Sequence, residues 1–429
     1  MQAMSGSGTV DHPNGIGQTR STCPPAPFAP RMHQSASTPE PMSRPDYAGG
    51  GIANLMASLL AGLGRDGERA AVPPSPLLPA ARLAAARHVV LLAIDGLGRA
   101  QLEAHAPDGT LAAARVGDLS SVFPSTTASA VTTFMTGDVP LAHGLIGWHL
   151  WFRELGVVGA PLPFRVRGSK VGLERLGAST RALFATRALA SRLVRRMVLV
   201  HPAPLCDTHY TRAHAAQAQV RPFGGIEELF THIAALAHER APSYCYAYWP
   251  ELDSVSHEHG AGSARAGEHL RALDQALAVC ARRIAGTGTL LLVCADHGFV
   301  DTREPTRLKL ADHPRLAETL ALPLCGEPRA VFCHVRCGAE AQFLDCAHDS
   351  LGHAASVLSA QQVLAQELLG PGVPHPRVVE RLGSHVLLMK EDYCLTDRVM
   401  GETRAFGQIG VHGGMSDAEL RVPLAVFES

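Results

Sequence analysis

An α/β fold around a buried, mostly parallel sheet is predicted by three observations. Apolar runs without alternation, VVLLAI before Asp95, YCYAYW before Pro250 and LLLVCA before Asp296, suit strands covered on both faces. Segments with apolar residues at helical spacing, 226–239 and 264–285, precede two of these runs. Each run also stops at or near an acid or a histidine. In open α/β sheets ligands bind beyond the carboxyl ends of the strands, so those residues are functional candidates.

The bulk properties narrow the function classes. The chain has 429 residues, enough for one large α/β domain or two smaller ones, with 46% hydrophobic and 18% charged residues. A formal net charge of −1 supplies no basic excess for a nucleic-acid polymer. No apolar run is long enough to cross a bilayer, so no membrane association is expected. The ten cysteines are scattered, several inside apolar runs, and read as reduced thiols of a cytoplasmic protein. Cys333, His334 and Cys337, with Cys346 and His348 nearby, fit no standard zinc spacing.

Taken in order, residues 1–47 are rich in Pro, Ser, Gly and Gln and read as a disordered leader without the features of a secretory signal. A catalytic α/β core is expected over 48–301. It begins with an amphipathic helix from Ile52 that stops at Gly62 or Gly64, followed by a Pro-rich link, VPPSPLLP. Residues 86–98 form the first buried strand. After a second strand stopped by Pro124 comes a hydroxyl-dense turn, Ser125-Thr126-Thr127, and then a small-residue segment that could run helically. Hydroxyls at a helix mouth are ordinary caps; they are also where helix N–H groups favour an approaching anion. The Arg-rich stretch 181–197 reads as a helix with a solvated basic face.

Strands at 243–250 and 289–298 complete the core. Residues 302–405 change character and read as an inserted cap, with a strand at 329–336, a helix at 359–370 and a strand at 385–390. Residues 406–429 return to the core and end in a strand over 422–427.

The candidate chemistry lies at the strand ends. Asp95, Asp253 and Asp296 could each be turn-formers, but their joint occurrence with histidines is hard to obtain by chance. His257 is four residues after Asp253, which on a helix puts both on one side. His297 follows Asp296 directly, and His412 lies in a glycine-rich loop open to close approach. Oxygen and imidazole donors without thiolates suit a catalytic zinc or another divalent ion with open positions.

Asp95-Gly96, Phe123-Pro124-Ser125-Thr126-Thr127, TGDVPLAHG from Thr136, Asp253 with His257, Asp296-His297-Gly298 and His412-Gly413-Gly414 resemble the alkaline phosphatase superfamily. Within it, they most resemble the type I phosphodiesterase/nucleotide pyrophosphatase branch. The resemblance covers most of 50–300 and the last twenty or so residues. It implies an alkaline phosphatase-like three-layer sandwich with an inserted cap region. It further implies two zinc ions, one on Asp253, His257 and His412, the other on Asp95, Asp296 and His297 with Thr127 as a further ligand. Thr127 falls on the family's nucleophile, which implies a covalent phospho-enzyme intermediate and a small phosphodiester or phosphoanhydride substrate.

One departure concerns Gly147-Trp148, where eukaryotic nucleotide pyrophosphatases have an Asn that contacts the phosphoryl oxygen. Trp148 could line the substrate's second substituent, with Trp151 beside it, or be a core tryptophan. Two alternatives stay open: a phosphomonoesterase or phosphonate hydrolase on the same scaffold, and a non-catalytic metal-binding member of the fold. No arginine stands at a family-matched phosphate position, which favours diesters.

Overall fold

The computed structural model describes residues 43–403 and 406–428. The leader expected over 1–47 lies outside the described residues except for its last five. Of these, Tyr47 already belongs to the folded body, its hydroxyl donating to the Leu368 carbonyl at 3.0 Å.

A seven-stranded sheet organises the chain. Across it the strands run Arg115–Ser120, Arg421–Glu428, Thr289–Cys294, His88–Ile94, Ser243–Trp249, Arg196–Pro202 and Gln219–Phe223. The five from Thr289–Cys294 to Gln219–Phe223 are mutually parallel, and Arg421–Glu428 runs antiparallel to both of its neighbours. His88–Ile94 and Ser243–Trp249 are buried at every position, as is Thr289–Cys294. Burial on both faces is why these three runs lack alternation.

The helices pack in two groups that flank the sheet. Ile52–Leu63 packs against Thr127–Thr136 and Ala80–Ala85. Ala264–Ile284 packs against Ile226–Ala237, Arg99–His105 and Glu251–His259. Ile52–Leu63 is buried nearly all round rather than amphipathic, because neighbours cover more than one of its sides. This is a mixed α/β fold of the alkaline phosphatase-like kind with a central, mostly parallel sheet.

Between residues 325 and 389 the chain builds a second, four-stranded antiparallel sheet, ordered Cys325–Gly326, Ala330–Cys333, His385–Met389 and Ala355–Ser359. Leu316, Val331, Phe343, Leu351 and Leu387 lie in an apolar cluster of its own. The hairpin 325–333 leans back onto the core through Gly326, which exchanges backbone hydrogen bonds with His149. Gly147 permits that approach. A Cβ there would stand 2.8 Å from the Gly326 Cα, so any side chain would push the hairpin away.

Two expected helices differ. The stretch 181–197 is not one helix but a short helix, Thr180–Phe184, a 3₁₀ turn, Leu189–Ser191, and the start of strand Arg196–Pro202. Ala185 takes a left-handed conformation that ends the first helix. Its arginines are not all a solvated face either. Arg192 is buried, bonded to Glu68, Asp138 and the Thr136 carbonyl, so tertiary pairing overrides the helical pattern. The helix expected over 359–370 stops at Ala365, and Glu367 has positive φ.

Candidate active site

Three neighbouring strands deliver the acids. Strand His88–Ile94 ends in Asp95, whose N–H still bonds the Trp249 carbonyl at 2.9 Å, and Gly96 turns the chain at φ +77°. Strand Ser243–Trp249 feeds helix Glu251–His259, where the four-residue spacing brings His257 Nε2 to 3.4 Å from Asp253 Oδ1. Strand Thr289–Cys294 runs into Asp296 and His297. One Asp296 oxygen is held by the N–H groups of Gly96 and His297, both at 3.0 Å. His412 follows the bridge of Gly410–Val411 to Val300–Asp301.

The three imidazoles are oriented alike. Nδ1 of His257, His297 and His412 bonds a backbone carbonyl, of Gly410, Gly298 and Ser125 respectively, at 2.8, 3.1 and 3.1 Å. A carbonyl accepts only from N–H, so each Nε2 is left as a lone pair. Those lone pairs face carboxylate oxygens: His297 Nε2 lies 3.4 Å from Asp95 Oδ1 and 3.4 Å from Asp296 Oδ2, and His412 Nε2 lies 3.8 Å from Asp253 Oδ1. Asp95 Oδ1, Asp253 Oδ1 and Asp296 Oδ2 are buried without any hydrogen-bond donor. Acceptor facing acceptor in a buried site calls for a cation between them.

The electrostatics agree. Burial pushes Asp95 well above the usual carboxylate range, and the charges of Asp296 and Asp253 push the same way. Burial and then Asp296 do the same to Asp253. Burial holds His412 well below the ordinary imidazole value and His257 at about 4, so both rings are neutral, as ligands must be. The residues fit divalent ions. Ligand atoms of Asp95, Asp296 and His297 lie within 4.8 Å of one another, as do those of Asp253, His297 and His412. His297 thus lies in both groups, whereas the resemblance implied it for the Asp95 set alone; His257, implied for the Asp253 set, lies in neither group, though its Nε2 is 3.4 Å from Asp253.

The three hydroxyls of the turn Ser125-Thr126-Thr127 differ in burial. Ser125 is buried and donates to the Gly414 carbonyl at 2.8 Å. Thr126 is buried and donates to Glu327 Oε1 at 2.6 Å. Thr127 opens helix Thr127–Thr136, lines the cavity, and sits 3.2 Å from His297 Nε2. Of the three hydroxyls, only that of Thr127 is turned to the ligand set.

The cavity above has a volume of about 440 Å³ and is lined by Thr127, Asp253, His257, His412, Trp148 and Glu327, among others. Trp148 is 39% exposed, which excludes the core reading. Trp151 does not line this cavity; it belongs to a separate groove and meets His334 edge-on.

Sequence reasoning missed three contributors. Tyr248 donates to Asp95 from within a strand and carries no local signal. Glu327 enters from the hairpin 325–333, and burial pushes its carboxyl up to about 7 against the pull of Thr126 and the Trp148 N–H. Arg329, from the same hairpin, forks onto Glu419 at 2.9 and 2.8 Å, both side chains buried. Glu419 in turn takes the Gly414 N–H at 2.7 Å and so holds the His412 loop. Burial would raise Glu419, but the Arg329 charge and these hydrogen bonds keep it below the ordinary carboxylate value. A depressed carboxylate stabilises the fold above its unfolded pKa and loses that contribution as pH falls through the folded value. Arg329→Ala leaves a buried anion unpaired and is expected to cost about 3–5 kcal/mol in denaturant unfolding at neutral pH. The deficit should shrink in acid.

The family model for type I phosphodiesterase/nucleotide pyrophosphatase matches residues 89–321, more than half of the chain. The chain belongs to that family. It is a hydrolase of the phosphodiesterase/pyrophosphatase kind, and the family depends on divalent metal. No curated protein sequence matches it. Murine ectonucleotide pyrophosphatase/phosphodiesterase 5 is similar in structure, with a TM-score of 0.61 at 15% identity over 79% of this chain and 87% of that one. An inactive form of the murine protein in complex with AMP gives 0.60 at 15% over the same shares, 79% and 87%. Phosphonoacetate hydrolase from Sinorhizobium meliloti 1021, in complex with phosphonoformate, gives 0.56 at 17% over 80% and 91%. At these identities the likeness is one of fold.

Proposed function

We propose that this hydrolase cleaves small phosphodiesters or phosphoanhydrides with Thr127 as the nucleophile and two divalent ions, zinc by donor type, on the seven ligands. The observation that carries the proposal is the set of orphaned carboxylate oxygens facing imidazole lone pairs, with the Thr127 hydroxyl at its edge. When bound, the ions supply Lewis acidity that favours the threonine alkoxide and neutralise charge on the phosphoryl oxygens. Thr127 Oγ1 forms a bond to phosphorus as the bond to the leaving alcohol or phosphate breaks. Water then attacks the phospho-threonine from the opposite side and releases Thr127. His297, His257 and His412 are held by their carbonyl partners and need not reorganise.

A cavity of this size suits a small ester rather than a polymer. Among the described residues no helix is long and apolar enough to cross a membrane. The nine described cysteines are all free; a cytoplasmic location is part of the proposal.

The diester preference rests on charge. Arg167 lines the cavity but is tied to Asp397 at 2.6 Å and Glu402 at 3.0 Å, so it offers little to the second charge of a monoester. The kcat/KM for bis-nitrophenyl phosphate is expected to exceed that for nitrophenyl phosphate. Preference for the monoester would overturn the diesterase reading and favour a phosphomonoesterase or phosphonate hydrolase instead. No turnover of either, in protein that holds its metal, would favour a non-catalytic member.

A further inference from the structure

We propose that Glu327, supplied by the cap, is a specificity-determining residue whose carboxylate disfavours substrates with two negative charges on the phosphoryl group. The proposal rests on the phosphodiesterase reading and goes beyond it to the residue that selects the ester class.

Four observations support it. Glu327 lines the cavity together with Thr127, Asp253, His257 and His412, although it is only 7% exposed. Its Oε1 is fixed by two donors from the nucleophile side, the Thr126 hydroxyl at 2.6 Å and the Trp148 N–H at 2.6 Å. The neighbouring residue of the nucleophile therefore positions this carboxylate, and the hairpin contact of Gly326 with Gly147 fixes its backbone. Finally, the negative charge is uncompensated by protein. Among the described residues no Lys or Arg pairs with Glu327. Arg329, two residues on, is spent on Glu419, and Arg167 is spent on Asp397 and Glu402. Arg398 also lines the cavity, but it is exposed, and solvent screens its charge.

A fixed carboxylate lining the same cavity as Thr127 acts on the difference between ester classes. A diester brings one charge and a monoester at pH 8 brings two, so repulsion falls more heavily on the monoester. The two hydrogen bonds that Oε1 accepts could be made equally by an amide oxygen. Glu327→Gln therefore isolates the charge.

The experiment measures kcat/KM for bis-nitrophenyl phosphate and nitrophenyl phosphate at pH 8 in wild type, Glu327→Gln and Glu327→Asp, with melting temperature and metal content as controls. Glu327→Gln is expected to raise the monoester-to-diester ratio at least tenfold, which is about 1.4 kcal/mol of differential transition-state binding. Glu327→Asp, which keeps the charge, is expected to hold the ratio within about threefold of wild type even if both rates fall. A ratio unchanged in Glu327→Gln would overturn the proposal and leave Glu327 a structural residue. Should neither variant fold, inhibition of the wild type decides: monoanionic dimethyl phosphate is expected to bind more tightly than dianionic methyl phosphate, and the reverse order would overturn the proposal. A wild type that prefers the monoester would instead sink the diesterase reading, an outcome read before any variant is made.

Discussion

Thr127→Ala is expected to lower kcat for a nitrophenyl diester by roughly 10³-fold or more while the fold and the metal content persist. The reason is positional. Thr127 is the first residue of its helix and turns its hydroxyl to the ligand set, whereas Ser125 and Thr126 spend theirs on Gly414 and Glu327. Covalent catalysis cannot proceed without the attacking oxygen, and no neighbouring hydroxyl can take its place without unpairing a buried partner. Ser125→Ala removes one buried hydrogen bond and is expected to cost about 1 kcal/mol of stability with a much smaller loss of rate. Thr126→Ala strips a donor from Glu327 and should also leave most of the turnover. Steady-state kinetics on the three variants check this. Loss of activity on changing Ser125 or Thr126, with Thr127→Ala active, would put the nucleophile one or two residues away.

The second large effect concerns the metal-free protein. Asp95, Asp253 and Asp296 share one buried cluster, and the first two have carboxyl groups pushed well above the ordinary range. Without cations, folding traps like charges together; with them, each ion stabilises the native state by mass action, about 4 kcal/mol at a thousandfold excess over its Kd. Chelation is expected to abolish turnover and lower the melting temperature by several degrees. The pH dependence of the stripped protein has a definite sign. A carboxyl raised in the folded state stabilises below its unfolded pKa, near 4, and loses that contribution as pH rises through the folded value. Stripped protein should therefore grow less stable as pH rises from the ordinary carboxylate range. Asp296→Asn should raise the melting temperature of stripped protein and lower that of loaded protein. Scanning calorimetry reads this crossover, and parallel shifts in both forms would contradict a cation site.

The strands and the acids at their ends were legible because burial on both faces writes itself as an unbroken apolar run, and because acids at three such ends are conspicuous. The i,i+4 pair Asp253 and His257 was readable for the same reason of periodicity. What could not be read depended on contacts far apart in the chain. Glu327 reaches Thr126 across 201 residues and Arg329 reaches Glu419 across 90, and neither pairing leaves a local pattern. The Arg-rich stretch misled because Arg192 looks like one more surface charge until Glu68 and Asp138 are seen around it. Trp148 was ambiguous because an exposed cavity wall and a core position call for the same residue. Its backbone N–H, bonded to Glu327, and its exposure decide the matter.

The most direct measurement is elemental analysis of the wild-type protein purified without chelator, on a sample whose turnover of bis-nitrophenyl phosphate is recorded alongside. Asp95, Asp253, Asp296, His297 and His412 form two overlapping candidate ligand groups, with His257 3.4 Å from Asp253 and Thr127 3.2 Å from His297, and the proposal places two ions there. The expected result is close to two equivalents of divalent metal per chain, zinc foremost, falling in step with activity on chelation. Protein that hydrolyses the diester at full rate while holding less than about half an equivalent of any divalent metal would contradict the two-ion site.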